Sequence, residues 1–269
     1  MWYKLKRLLT YYRLGLIFNL KTTIAYPTSF WFGTVTIPLW ALVQILFIET
    51  IYGQTDSFLG YTRYENYVLF GTFKLVQSLA ATIFMEKLED LTEKIRGTSE
   101  NSFDVMLLKP IDTQLYATTG SFWFGTLSSA VAGMGMIVYG LLREPHTIGI
   151  GHILTYTVAV GMGVFLLYLI YLFIQTWLFW FEYLQVGQEL WFDFQGFGQF
   201  SRHLYSGWTS LFFNIAIPIT LMASVPMELL FGTMSWWQLG QYALILAVLF
   251  WLTRQFWLYS IKKYSSFSS

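Results

Sequence analysis

The sequence predicts an all-α membrane protein: six transmembrane helices, an amphipathic N-terminal helix and a short helix in the loop after the second span. Three observations carry this. Of 269 residues, 55% are hydrophobic and 12% charged, half the charge of an ordinary soluble domain, where about 25% is usual. Long runs lack any charge. Lys and Arg fall almost wholly on one set of connections. Such a composition cannot cover a water-facing surface, and a net charge of +1 gives no field for nucleic acid. With no cysteine, disulfides, thiolate metal sites and Cys nucleophiles are excluded.

The spans follow from the charge-free runs, since an ionised side chain at mid-bilayer costs about 3 kcal/mol or more. The first is Ala25–Ile48, 24 residues, which at about 1.5 Å per residue exceeds a hydrocarbon core of about 30 Å. Asn66–Met85 is the second, interrupted by Lys74. Leu115–Leu142 and Ile153–Phe181 are the third and fourth. Leu204–Met227, containing Pro218 and Pro226, is read as the fifth, and Trp236–Thr253 as the sixth. The aromatic segment Phe181–His203 is then a bent interfacial connection, with a lateral gate for an amphiphile as its functional reading.

Six spans put both termini on one side. That side holds thirteen basic residues (Lys4, Lys6, Arg7, Arg13, Lys21, Lys87, Lys94, Arg96, Lys109, Arg202, Arg254, Lys262 and Lys263), the other only Arg63 and Arg143. The positive-inside rule makes the first side cytoplasmic, in a cell (inner or plasma) membrane. Residues 1–24 form one unit and 25–269 the transmembrane domain. Within the first, Leu5, Leu8, Leu9, Tyr12, Leu16 and Leu20 share a helical face, with Lys4, Lys6, Arg7 and Lys21 off it and Arg13 at its edge. This predicts a helix lying on the inner leaflet, its basic residues meeting anionic lipid; a basic flank that merely sets topology is the plainer reading. The first apolar run is too long for a signal peptide and is expected to remain as a helix.

The charge-dense stretch lies near 86–114. Leu88, Leu91 and Ile95 have helical spacing, Asp90 and Lys94 form an i,i+4 pair, and Gly97 suits a helix end. Ser99 or Ser102 would cap a second helix through Val105–Leu108, stopped before Pro110. The apolar run Val105-Met106-Leu107-Leu108 between charged flanks predicts a docking surface for another protein.

Motifs of catalysis are missing: there is no GxxxxGK[ST], HExxH or GxSxG, and no carboxylate cluster for a metal. The chain is expected to be non-catalytic. His146 and His152 are read as surface residues. Gly133-Met134-Gly135 and Gly161-Met162-Gly163 lie in spans, where small residues allow close helix packing. Lys74 is the intramembrane charge, lining a polar pathway, pairing with another subunit's carboxylate or serving the bundle structurally. Pro218 and Pro226 should bend the fifth span, and with Glu228 they form a candidate outer gate.

Ile95-Arg96-Gly97-Thr98 with Leu107-Leu108-Lys109-Pro110-Ile111-Asp112 resembles the cytoplasmic signature of type-two ATP-binding-cassette exporter permeases, in their six-helix branch of roughly this length. Ile217-Pro218, Ser224-Val225-Pro226 and Leu230-Phe231-Gly232 are similar to that branch's fifth-helix motif. The Tyr-Pro frequent in the family is replaced here by His203-Leu204-Tyr205. The resemblance implies a permease subunit that binds no cofactor itself. Two ABC-type ATPase subunits would carry ATP and Mg, and a second permease, identical or sibling, would complete the assembly. Arg96, Gly97, Val105, Met106, Leu107, Leu108, Lys109 and Pro110 would form the ATPase-coupling segment. It further implies outward transport, and the aromatic spans suit a hydrophobic or cationic substrate, drug-like or lipid-like. A self-sufficient gradient-driven carrier using Lys74 is the alternative, although no repeat of three spans supports it.

Overall fold

The computed structural model describes residues 2–58, 60–95, 103–143, 147–181 and 186–264. Helix α1 (Trp2–Ala25) passes through Tyr26 into α2 (Pro27–Tyr52). Pro27 stands in the first turn of α2, where its missing N–H breaks no helical bond. Helix α3 (Arg63–Ala80) starts at a capping box: Thr62 Oγ1 accepts the Glu65 N–H at 3.3 Å, and Glu65 Oε2 accepts the Thr62 N–H at 2.8 Å. A π-turn, Ala81–Met85, carries α3 into α4 (Glu86–Ile95). After the short helices α5 (Phe103–Leu107) and α6 (Thr113–Thr118) come α7 (Leu127–Arg143) and α8 (Ile150–Thr176). The remainder is α9 (Val186–Phe197), α10 (Gly207–Leu211), α11 (Ser224–Leu230) and α12 (Trp236–Lys263). Among the described residues, five helical runs are long and apolar enough to cross a membrane: Phe30–Tyr52, Arg63–Ile95, Phe124–Arg143, Ile150–Phe179 and Trp236–Lys263.

The third predicted span is interrupted. The chain leaves the helix at Thr119–Trp123, with Gly120 at φ +96°, a region few L-residues adopt. Tyr11 of α1 fills the space a Cβ on Gly120 would need, and the Gly120 carbonyl presses against Gly15. The Trp123 N–H donates to the Thr82 carbonyl in the π-turn of the second span (3.1 Å), so the two irregularities meet and satisfy one another.

The fifth predicted span, Leu204–Met227, is overturned as a continuous helix. Residues 207–216 run as α10 and a π-turn. Ile217 is extended because Pro218 disfavours the helical region for its predecessor. A 3₁₀ turn, Ile219–Met222, then leads into α11. Pro226 lies in the first turn of α11, so it bends nothing; Pro218 alone makes the break. Ile217 lines a groove with Leu169, Phe194 and Leu249, while the Leu221 carbonyl packs on Gly163. Gly232, beyond α11, lies beside His152 near the start of α8. The segment therefore enters and leaves at the same end of the bundle, as a hairpin.

Phe181–His203 is corrected accordingly. Residues 182–185 lie outside the description, but from Val186 the chain runs alongside the other helices. Trp191 is buried and stacks on Tyr171, ring centroids 4.6 Å apart. Gln195 reaches Gln77, Gln199 reaches Gln44, and Arg202 reaches Glu228. Trp191 is thus buried within the bundle, whereas Phe197 stays exposed on its surface. The same path moves Arg202 to the end that holds Arg63, away from the termini.

The core centres on α3, α4 and α8. Val68, Leu69, Phe73 and Val76 of α3 are buried, as are Leu88, Leu91 and Ile95 of α4, the three with helical spacing in the sequence. Lys94 Nζ lies 3.2 Å from Asp90. Helices α3 and α7 approach closely through facing glycines: a Cβ on Gly133 would stand 2.7 Å from the Gly71 carbonyl oxygen, and one on Gly140 would stand 2.6 Å from that of Tyr64. Backbone contact of this kind supplies the dispersion that holds helices together where no hydrophobic effect operates between them. Gly135 and Gly161 have open space at the Cβ position. We expect Gly133→Val to destabilise the bundle by about 2–3 kcal/mol, the scale of overpacking. Gly135→Ala should be neutral or slightly stabilising; thermal unfolding in detergent checks both.

Candidate functional site

Three places collect the residues singled out by the sequence. The first is the tip at the end of the bundle where α1 lies and α12 finishes. Arg96 and Gly97 lie outside the described residues. Helix α5 is one turn long, and its i, i+3 pair, Phe103 and Met106, turns inward. Met106 is therefore removed from the expected exposed patch. Phe103 is fully buried in an aromatic box of Phe179, Trp257 and Tyr264, with ring centroids 5.1, 6.1 and 5.0 Å away. Val105, Leu107 and Leu108 remain outside, Leu108 84% exposed, followed by exposed Lys109 and Pro110. Just beyond, Asp112 caps α6 through the Leu115 N–H (3.2 Å) and forms a two-point pair with Arg254 of α12, which also donates to Gln114 Oε1 at 2.8 Å. Burial alone would raise the Asp112 carboxyl, but Arg254 and the backbone donors outweigh it and hold it below the ordinary value. The exposed apolar tip is thus fixed to the ends of α8 and α12.

Helix α1 docks at the same end. Tyr11 donates to the Thr119 carbonyl (2.6 Å), Tyr12 pairs with the Thr119 hydroxyl (2.9 Å), and Ser121 donates to Asn19 (3.3 Å). The packed face is Tyr11, Gly15 and Asn19; Leu9, Leu16 and Leu20 of the predicted apolar face point away from the protein.

The second place surrounds Lys74, 8% exposed. A cavity of about 650 Å³ between α2, α3 and α9 is lined by Lys74, Gln44, Gln77, Gln195 and Gln199, with Trp40, Phe73 and Trp123 along its sides and Glu89 toward the termini. Gln77 Nε2 donates to Gln195 Oε1 (2.9 Å) and Gln44 Nε2 to Gln199 Oε1 (3.4 Å). The glutamines were not foreseen. A signal existed in Gln44 and Gln77, lone amides within apolar runs, and in the i,i+4 pair Gln195 and Gln199. Among the described residues Lys74 makes no hydrogen bond or ion pair, and Glu49, its nearest acidic neighbour in the sequence reading, instead binds Arg63 and Tyr67 at the far end.

The third place is at that far end. Glu228 of α11 is 4% exposed. Its Oε1 accepts from the Tyr61 hydroxyl at 2.7 Å and from Arg202 Nε at 2.9 Å, with His203 Nε2 at 3.9 Å. Its backbone carbonyl accepts the Thr233 and Met234 N–H groups. Burial, and then the Glu228 carboxylate, push the Tyr61 hydroxyl well above the usual tyrosine range, so it stays a donor. The Ser224 hydroxyl accepts the Arg202 N–H and donates to the Phe200 carbonyl. One carboxylate thus ties the hairpin to the α2–α3 turn and to the end of α9. Arg202 was the partner that sequence reasoning placed on the wrong side. Among the described residues no group of three or more His, Asp or Glu could hold a metal.

Two tests follow from this geometry. Glu228→Gln and Arg202→Gln should each lower stability by about 2–3 kcal/mol, discounted from fully buried pairs because Arg202 keeps some contact with water. Their double-mutant cycle should give a coupling above about 1 kcal/mol. The Asp112 contribution should be complete above the ordinary aspartate value of 3.8 and vanish as pH falls through the lower folded value. Asp112→Asn should accordingly reduce the melting temperature at pH 7, with the difference from wild type closing below that range.

A family model described as ABC-2 family transporter protein matches residues 38–268. No curated protein and no solved structure gives a match. The matched region runs from the middle of α2 through α12, with the tip, the Lys74 cavity and the Glu228 tie. The chain belongs to the ABC-2 transporter family, whose membrane subunits generally work with ABC ATPases.

Proposed function

We propose that this chain is the non-catalytic permease subunit of an ATP-driven exporter, and that the tip after α5 receives force from a separate ATPase. The observation that carries the reading is an exposed Leu107-Leu108 patch whose neighbour Phe103 is locked among α12, Tyr264 and the end of α8. A patch held this way passes a push directly into two long helices. ATP and Mg would reside on two partner ATPases, beside a second permease that is identical or a sibling. Their closure would rock the permeases as rigid units and move an amphiphilic substrate outward.

In this reading α9 and the turn after it, Val186–Arg202, provide a sixth crossing and 206–231 a re-entrant hairpin. Parity supports it. The five long apolar helices alone would leave the end of α12 opposite α1, whereas Tyr264 of the α12 end packs on Phe103 beside α6, to which α1 is bound. With Arg202 reassigned, twelve basic residues still accompany the termini against three at the other end, which favours cytoplasmic termini in a cell membrane. The outward Leu9, Leu16 and Leu20 of α1 would then rest on the inner leaflet. The Glu228 tie would close the outer side, with Pro218 as the hinge of the hairpin. The gradient-driven alternative gains no support, because Lys74 has no acidic partner for a proton relay among the described residues.

The test is a tagged purification with its ATPase, followed by ATP-dependent transport in proteoliposomes. Leu107→Asp with Leu108→Asp should leave folding intact, since both side chains are exposed, and abolish substrate-stimulated ATP hydrolysis. Unchanged transport by that variant would remove the docking assignment.

A further inference from the structure

We infer that the Lys74 cavity is a binding site for the anionic headgroup of an amphiphile, which would make the transported substrate an anionic amphiphile, not a cationic one. The inference deepens the exporter reading and its second half rests on it.

Three observations point the same way. Lys74 is buried at mid-depth in the second span with no hydrogen bond or ion pair among the described residues. An ammonium group at such depth is costly unless a counter-charge or polar partners surround it. Glu89 lines the cavity too, but it is fifteen positions along the same helical run, roughly 22 Å away at 1.5 Å per residue, too far to neutralise it. Second, the surrounding amides are only half used. Gln195, 3% exposed, leaves its Nε2 without a partner, and Gln44 leaves its Oε1 so. Buried polar atoms of this kind ordinarily have partners. Lys74 and the Gln195 amide together offer a point charge and a neutral donor, the complement of a carboxylate or phosphate oxygen. Third, Trp40 and Trp123 line the same cavity and are themselves largely exposed on the outer face of the bundle. An acyl chain could leave the cavity between them into lipid while its head stays at Lys74. A cation entering this cavity meets like charge at its centre, which overrides the general affinity of aromatic rings for cations.

The test uses two photoreactive probes with the same diazirine-bearing acyl chain, one ending in a carboxylate and one in a trimethylammonium group. They are applied to the full chain in zwitterionic phosphatidylcholine nanodiscs. The carboxylate probe should label the Trp40, Trp123 and Gln199 region, read by mass spectrometry, in competition with dodecyl phosphate. Lys74→Gln should weaken its labelling about tenfold or more, the loss of a charge-assisted contact, while Lys74→Arg retains it. Lys74→Glu should turn the preference toward the trimethylammonium probe. Should Lys74→Glu fail to fold, the Gln and Arg variants still decide. Equal labelling by both probes in wild type, or carboxylate labelling unchanged by Lys74→Gln, overturns the site. Stimulation of ATP hydrolysis by dodecyl phosphate in the permease–ATPase complex is the separate arm. Labelling at Lys74 without that stimulation keeps the site but removes its role as the transport substrate's, and a complex that hydrolyses no ATP with any amphiphile counts against the exporter reading alone.

Discussion

The buried carboxylate of Glu228 is the interaction on which the far end of the bundle depends. Three separate stretches of chain meet at it: the α2–α3 turn through Tyr61, the end of α9 through Arg202, and α11 itself, while the Glu228 main-chain carbonyl accepts the Thr233 and Met234 N–H groups of the turn into α12. None of these is a regular helix contact. The hairpin leaves backbone groups without helical partners at membrane depth, and irregular backbone persists there only when protein covers it. The fully buried run from Ile219 to Leu230 meets that condition. A carboxylate left unpaired in the same place would undo it, so the hairpin exists because Tyr61 and Arg202 arrive from elsewhere.

At the opposite end the organising device is aromatic rather than ionic. Phe103 inserts between the ends of α8 and α12, and Asp112 joins α6 to Arg254. Helix α1 is stitched on through Tyr11 at the break in the third span, where Gly120 makes room for its ring. These three contacts join the tip, the N-terminal helix and the last helix to one another. Between the two ends runs the α3–α7 seam, held by backbone approach at Gly71 and Gly133. A bundle tied at both ends and closely packed along one seam is suited to discrete rocking rather than gradual deformation.

The Lys74 cavity lies beside that seam, between elements that the two ends control. Its polar lining comes from α2, α3 and α9 together. Any relative motion of α9, whose far end is fixed through Arg202, would change the spacing of Gln195 and Gln199 from Gln77 and Gln44. The cavity lining and the Glu228 tie are joined along the chain by the seven positions from Gln195 to Arg202.

How much was legible follows from the kind of signal. Charge-free runs of bilayer length located the five long apolar helices, because the cost of burying an ion is paid by each residue wherever it packs. Helical spacing put Leu88, Leu91 and Ile95 on one face, and that face is buried; the expected helix end at Gly97 and cap at Ser99 or Ser102 lie outside the described residues. Length and hydropathy could not distinguish the hairpin 206–231 from a span, since a re-entrant segment needs the same apolar surface. Nor could they recognise α9 as bundle interior, because its glutamines and Arg202 look solvated until Gln77, Gln44 and Glu228 are beside them. The sequence by itself determined that the chain lies in a membrane and which residues are apolar enough to stay there. Only the tertiary structure decided which polar groups could join them, because a buried amide or charge is tolerated solely through partners that are distant in the chain.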